Sequence, residues 1–180
     1  TTLLEMAKNH KVIELEHVVV KFAGDSGDGM QLTGTQFSDT SAFIGNDLST
    51  FPDYPSEIRA PQGTVAGVSG FQVHIGHKEV STPGDQADVL FSMNPASMKA
   101  NMKWVKDGAI IIIDIDIFDN KHYNKAEYVE DPLHDETLDG YNLVKAPISM
   151  LSRNVAKQKG LDGIKIFSFP PDIMEALLDE

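Results

Sequence analysis

The chain contains no cysteine among its 180 residues. That absence excludes a disulfide framework, a thiolate nucleophile, a thiolate-ligated zinc and a cysteine-ligated iron–sulfur cluster held by this chain, and it fits a reducing compartment. Long apolar runs are missing too. No stretch approaches the ~20 residues that cross a bilayer, and residues 1–10 have neither the basic start nor the apolar centre of a secretory signal. The expectation is a cytoplasmic chain without a membrane partner. Basic residues are scarce, 15 Lys and Arg against 27 Asp and Glu, for a formal charge of −12. A phosphate-rich polymer is repelled over about a Debye length, ~8 Å at physiological salt, which argues against nonspecific nucleic-acid binding. Internal repeats are absent as well. What remains is enough chain for one domain, since folding at this size buries roughly 70% of the surface the unfolded chain exposes. A start at Thr and an end in Asp-Glu after a short helical stretch suggest a piece of something longer.

Glycine, by contrast, is concentrated at one informative place. Residues 18–30 read VVVKFAGDSGDGM, an apolar run entering a turn that holds Gly24, Gly27 and Gly29, and a helix-compatible segment, residues 31–44, follows at once. Glycines let the backbone take positive φ and approach a ligand closely, and the first N–H groups of a helix lack internal partners, so strand, turn and helix make a natural ligand site. The spacing is neither the G-x-G-x-x-G dinucleotide fingerprint nor a Walker loop. Gly27-Asp28-Gly29 matches the opening of a thiamine diphosphate motif, but residues 53–58 read DYPSEI where that motif needs an asparagine. Asp25 and Asp28 complicate a simple phosphate cradle. A helix N-terminus favours an anion by about 0.3–1 kcal/mol, whereas a carboxylate at ~4 Å repels it by about 4 kcal/mol at an effective dielectric of ~20. Either both aspartates point away, or a cation bridges, or the turn meets something other than bare phosphate.

The rest of the chain alternates strand and helix signals. Residues 17–23, 48–51, 71–75, 89–93, 109–115 and 142–146 read as strands, with 89–93 and 109–115 apolar enough to be covered on both faces. Residues 30–44 read as a helix whose imperfect apolar period is Met30, Leu32, Phe37, Ala42, Phe43 and Ile44. Residues 95–105, with Pro95 in the first turn, and 148–157 read as further helices. A short helix is expected over residues 1–11, and a strand, proline turn and helix from residue 164 onward. Residues 119–140 are acidic and polar, a surface excursion with room for a small strand near Tyr128 and Val129. The pattern specifies a single α/β domain of three layers, α/β/α, around a mostly parallel or mixed sheet.

Few side chains outside the turn carry chemistry. The segment FPDYPSEIRAPQG, residues 51–63, holds an aromatic, an arginine and three prolines that restrict the backbone before any ligand arrives. Arg59 either pairs with Glu57 or Asp53 as a surface ion pair or faces a phosphate or carboxylate. His74 and His77 lie three apart and point to opposite faces of a strand, unlike a metal pair. Asp114, Asp116 and Asp119 cluster at the carboxyl end of an apolar strand, where α/β sheets place ligands, yet their spacing matches no calcium loop. No metal ligand and no catalytic residue is assigned.

Residues 18–76, VVVKFAGDSGDGMQLTGTQFSDTSAFIGNDLSTFPDYPSEIRAPQGTVAGVSGFQVHIG, resemble the γ-type domain of the 2-oxoacid:ferredoxin oxidoreductases. The likeness is strongest to the form fused at the N-terminus of the α subunit in 2-oxoglutarate:ferredoxin oxidoreductases. Many γ domains carry Gly-Gly-Gln-Gly at this turn, whereas the 2-oxoglutarate branch is similar to this chain in using Gly-Asp-Ser-Gly-Asp-Gly with Pro-Asp-Tyr-Pro-Ser-Glu-Ile-Arg. FSMNPASM, residues 91–98, resembles the family's strand-to-helix junction, with Asn94 at the strand end. The likeness covers about residues 18–154, with 1–16 an N-terminal extension and 164–180 departing from the pattern.

The resemblance implies a fold like domain III of pyruvate:ferredoxin oxidoreductase. It also implies oxidative decarboxylation of a 2-oxoacid to its acyl-CoA, with electrons passed through iron–sulfur clusters to ferredoxin. Thiamine diphosphate and Mg²⁺ would be held by the remaining α-subunit domains and a thiamine-binding β subunit, while this domain closes the active site on the coenzyme A side. Carried over residue by residue, Gly24, Ser26, Gly27 and Gly29 form the turn, Tyr54, Pro55, Ser56 and Arg59 the facing loop, and Asn94 the neighbouring strand end. A noncatalytic subunit-interaction domain and a free-standing nucleotide-binding domain are the competing readings.

Overall fold

A computed structural model of the chain describes residues 15–57 and 59–158. The helix expected over residues 1–11 and the elements expected from residue 164 onward lie outside that range. The chain runs through β1 (His17–Asp25), α1 (Met30–Phe43), β2 (Asp47–Asp53), β3 (Val68–Gly76), β4 (Ala87–Ser92), α2 (Pro95–Asn101), β5 (Val105–Asp114), α3 (Asn120–Lys125), β6 (Asn142–Ala146) and α4 (Ile148–Gln158). Its strands form one sheet in the order β2-β3-β1-β4-β5-β6. β1, β4, β5 and β6 are parallel, and β3 runs antiparallel to both β1 and β2. The sheet is therefore mixed, as the strand signals allow.

Period-two alternation sorts β1 onto two faces. Phe22 packs with Phe71 and Val73 of β3, Phe91 of β4, Met30 of α1 and Ile148 of α4. The opposite face places Ala23 with Leu90, Val105 and Ala109. The apolar run of β5 supplies Ile111 and Ile113 to a third group with Met98, Phe118 and Tyr123.

α1 departs from the expected pattern. It buries Met30 together with Thr33, Gly34, Ser38 and Ser41, while Leu32, Phe43 and the following Ile44 are exposed. Close approach requires the glycine: a Cβ built on Gly34 would lie 2.2 Å from the Phe71 ring, while Met30 and Phe37 pack toward the sheet on either side of it. Ser38 Oγ satisfies itself by donating to the Gly34 carbonyl at 2.8 Å.

Two other expectations shift. The helix from Pro95 stops at Asn101, tightens into a 3₁₀ turn over Met102–Trp104, and β5 starts at Val105. Residues 119–140 are not merely a surface excursion and form no strand at Tyr128 and Val129. Phe118 and Tyr123 are buried against β5, and Tyr123 Oη donates to the Phe118 carbonyl at 3.1 Å. α3 ends where the chain reverses at Glu127, φ 58°.

Candidate functional site

β1 and β4 are parallel neighbours whose connections diverge, β1 continuing through α1 toward β2 and β4 through α2 toward β5. Open α/β sheets bind ligands in the crevice at such a switch point, outside the carboxyl ends of the strands. Gly24 and Asp25 end β1 there, and Ser92 followed by Asn94 ends β4.

The turn is folded by its own acids. Asp28 Oδ2 accepts the Asp25 N–H at 2.7 Å, and the Asp28 N–H donates to the Asp25 carbonyl at 2.9 Å. A Cβ added at Gly24 would stand 2.9 Å from Asp28 Oδ2 and displace the carboxylate that bonds the Asp25 N–H. Gly29 takes φ 75° as the residue preceding α1, where no side chain caps the helix and no acidic residue occupies its first turn. Gly27 has open space where a side chain would project. The N–H groups at the start of this 14-residue helix thus have no side-chain cap beside an open glycine. One oxygen of each carboxylate, Asp28 Oδ2 and Asp25 Oδ2, accepts a backbone N–H of the fold.

Asp25, which the sequence marks only as an obstacle to an anion, ties the turn to a distant loop. It is 6% exposed, and its Oδ2 accepts the Gly63 N–H at 2.8 Å. Its Oδ1 is buried without a hydrogen-bond partner. Burial holds the carboxyl above the usual aspartate range, opposed by the Gly63 N–H, the adjacent Asn94 side chain, and the charges of Lys125 and His122. Gly63 has φ 85°, a conformation that favours glycine, and it packs against Lys125 of α3, whose Nζ donates to the Gln62 carbonyl at 3.3 Å.

The facing loop is tied to the turn at several points. Ser26 N–H donates to the Gly67 carbonyl at 3.1 Å. At the base of the loop Gln31 Nε2 donates to the Gly70 carbonyl at 2.7 Å and to the Asp53 carbonyl at 3.3 Å, and the buried Lys21 pairs with Asp53 at 3.3 Å. Within the loop, Ser56 Oγ donates to the Ala66 carbonyl at 3.1 Å, while Tyr54 stands 70% exposed and Arg59 is exposed. Among the described residues no ion pair joins Arg59 to Glu57 or Asp53. The structure thus brings Gly24, Ser26, Gly29 and Asn94 to one end of the sheet. It attaches the loop through Gly63 and Gly67, and leaves Tyr54, Pro55, Ser56 and Arg59 along its outer side.

Asn94 holds the strand end. Its Oδ1 accepts the Ser97 N–H at 2.8 Å and Ser97 Oγ accepts the Asn94 N–H at 3.2 Å, a reciprocal cap with Pro95 in the first turn. The second acidic cluster has a different purpose. The fully buried Asp114 accepts from the Ser149 N–H and Oγ, and Asp116 Oδ2 accepts the Met150 N–H at 2.6 Å, so both serve the start of α4. Burial raises the Asp114 carboxyl, with the Ser149 hydrogen bonds opposing. Asp119 caps α3 through the His122 N–H at 3.0 Å. His74 donates Nδ1–H to the Thr82 carbonyl at 2.6 Å, a local strand contact.

Residues 19–165 match the pyruvate ferredoxin/flavodoxin oxidoreductase family. The chain belongs to that family. It is 50% identical over 127 residues, 71% of its length, to the 2-oxoglutarate oxidoreductase subunit KorA of Mycobacterium tuberculosis, and it spans only 19% of that relative. Its fold matches the 2-oxoglutarate:ferredoxin oxidoreductase from Magnetococcus marinus, solved with 2-oxoglutarate, coenzyme A and succinyl-CoA bound, with a TM-score of 0.59 at 22% identity, covering 82% of this chain and 22% of that one. It also matches the keto/oxoacid ferredoxin oxidoreductase γ subunit from Geobacter sulfurreducens, with a TM-score of 0.54 at 19% identity, covering 82% and 67% respectively. This member of the family is thus an α/β domain with a mixed six-stranded sheet.

Proposed function

We propose that the chain is the γ-type domain of the α subunit of a 2-oxoglutarate-type 2-oxoacid:ferredoxin oxidoreductase, and that its glycine turn and facing loop form one wall of the coenzyme A site. The observation that carries the reading is the uncapped start of α1 beside open Gly27, at the switch point, with the nearby carboxylates bonded inward to backbone N–H groups. That arrangement suits an anionic group better than the residue types alone suggest. When bound, coenzyme A supplies the thiol that takes up the acyl group. The chain's own residues bind and orient: Gly24, Ser26, Gly27 and Gly29 present backbone, Asn94 fixes the strand end, and Tyr54, Pro55, Ser56 and Arg59 offer the loop's solvent-accessible side to the cofactor. Thiamine diphosphate, Mg²⁺ and iron–sulfur clusters belong to the partner subunit and remaining domains, ferredoxin is the acceptor, and the isolated chain does not turn over.

Titration of coenzyme A into the assembled complex tests this. Arg59→Ala removes an exposed cation, and affinity is expected to fall by about five- to tenfold, the scale of a charge-assisted hydrogen bond of ~1–1.5 kcal/mol. Unchanged affinity removes Arg59 from the site. The exposed Phe51 and Tyr54 favour a second reading, in which the loop is a subunit interface that coenzyme A never touches. That reading predicts that the loop is protected by assembly alone.

A further inference from the structure

We propose that the outer face of α1 is a self-complementary interface for a second copy of this chain, the two helices packing antiparallel about a two-fold axis centred between Phe37 and Ser38. This face is turned away from the sheet, so docking there is independent of what binds at the glycine turn. Three observations carry it. The face is apolar where a solvated helix is polar: Phe43 is 90% exposed, Ile44 71% and Leu32 47%, and Asp39 is the only charged residue from Met30 to Asn46 in a chain that is 23% charged. Its hydroxyls are already satisfied. The exposed Thr35 and Thr40 donate to the Gln31 and Gln36 carbonyls at 2.8 and 2.9 Å, so covering them strands no donor and lowers the desolvation cost of docking. The third observation is residue order: at ~3.6 residues per turn the exposed Leu32, Gln36, Asp39 and Phe43 fall within an arc of about 60°, a single line along the helix.

A line that reads Leu, Gln, Asp, Phe fits its own reverse. Turning a second copy end for end about that axis sets Leu32 opposite Phe43 of the second copy at both ends, and Gln36 opposite Asp39 of the second copy at the centre. Apolar pairs then lie outside, with an amide donor on a carboxylate acceptor between them. Such an isologous contact closes as a dimer. A parallel pair would instead set the two Asp39 carboxylates against each other. Charge selects the same occupant: this face offers a basic partner one carboxylate and an acidic partner no cation, while two copies of a chain carrying −12 approach with least repulsion where a single charge is exposed. The 14 residues of α1 span about 21 Å at ~1.5 Å each, and one helix pair lies at the small end of specific interfaces, below ~1,200 Å². Association is therefore weak and concentration-dependent.

The experiment is sedimentation equilibrium of the full chain from about 1 to about 500 μM, with a monomer–dimer equilibrium in the micromolar range expected. Phe43→Glu is expected to weaken dimerisation by about tenfold or more, the scale of an interface anchor. Val129→Glu, at a residue exposed elsewhere on the chain, is expected to leave it unchanged. A chain that stays monomeric throughout overturns the proposal, as does equal weakening by both substitutions. Register is read by disulfide trapping, which the absence of native cysteine keeps unambiguous. Leu32 and Phe43 lie about 16 Å apart along the helix. An equimolar mixture of Leu32→Cys and Phe43→Cys chains, treated with a mild oxidant, is expected to give a covalent dimer that neither variant gives alone. Failure of the mixture to cross-link, or equal cross-linking of either variant by itself, overturns the antiparallel pair.

Discussion

Asn94 illustrates how one side chain serves two elements. Its carbonyl caps α2 through Ser97, and the same amide lies against the buried Asp25 carboxyl. Alanine at this position loses the cap, a destabilisation of about 1 kcal/mol, and with it the contact that favours the ionised Asp25 carboxyl. Aspartate keeps the cap but sets a second carboxylate against the first, so Asn94→Asp is expected to lower the urea midpoint at neutral pH by more than alanine does. The deficit should shrink as the carboxylates protonate. Equal midpoints for Asn94→Asp and wild type at neutral pH would contradict the packing described here. The position was legible as a strand-end asparagine before a proline. Its second contact was not, because Asp25 lies 69 residues earlier and nothing local marks the pairing.

Elements were legible in proportion to how closely they obey a simple period. The apolar runs of β4 and β5 and the β-branched start of β1 announce strands, though Ile110 of β5 is exposed rather than covered, and Asn142–Ala146 is bounded by its own short run. α1 lies where expected and turns Met30 and Phe37 to the core as its period predicts, but leaves Leu32, Ala42 and Phe43 exposed. Periodicity assigns every large apolar residue inward, whereas close approach to Phe71 requires glycine at position 34 and the buried face also carries Ser38 and Ser41. Gly34→Ala therefore destabilises, by roughly 1–3 kcal/mol on the scale of an overpacked core, despite alanine's better helix propensity. Chemical denaturation measures it, and a stabilised Gly34→Ala would show that the helix stands off the sheet. Residues 119–140 were misread for a related reason. Phe118, Tyr123 and Tyr128 are spaced five apart, which matches neither a helical nor a strand period, so their aromatic packing stays hidden.

At the scale of the molecule, the formal charge of −12 and the glycine turn pull in opposite directions for an anionic ligand. The fold resolves this locally by giving Asp25 and Asp28 backbone N–H partners, one of them 38 residues distant, and by leaving the start of α1 uncapped. Turn and loop are paired in the sequence only through the family resemblance; the Asp25–Gly63 hydrogen bond that joins them is a long-range contact that sequence order does not reveal. The central claim is that these two segments form a wall for coenzyme A inside the assembled oxidoreductase. The most direct measurement is hydrogen-exchange footprinting of the complex with and without coenzyme A. The account predicts that assembly leaves residues 24–29 and 54–67 partly exchangeable and that coenzyme A adds protection to both; protection complete on assembly and unchanged by coenzyme A would contradict it.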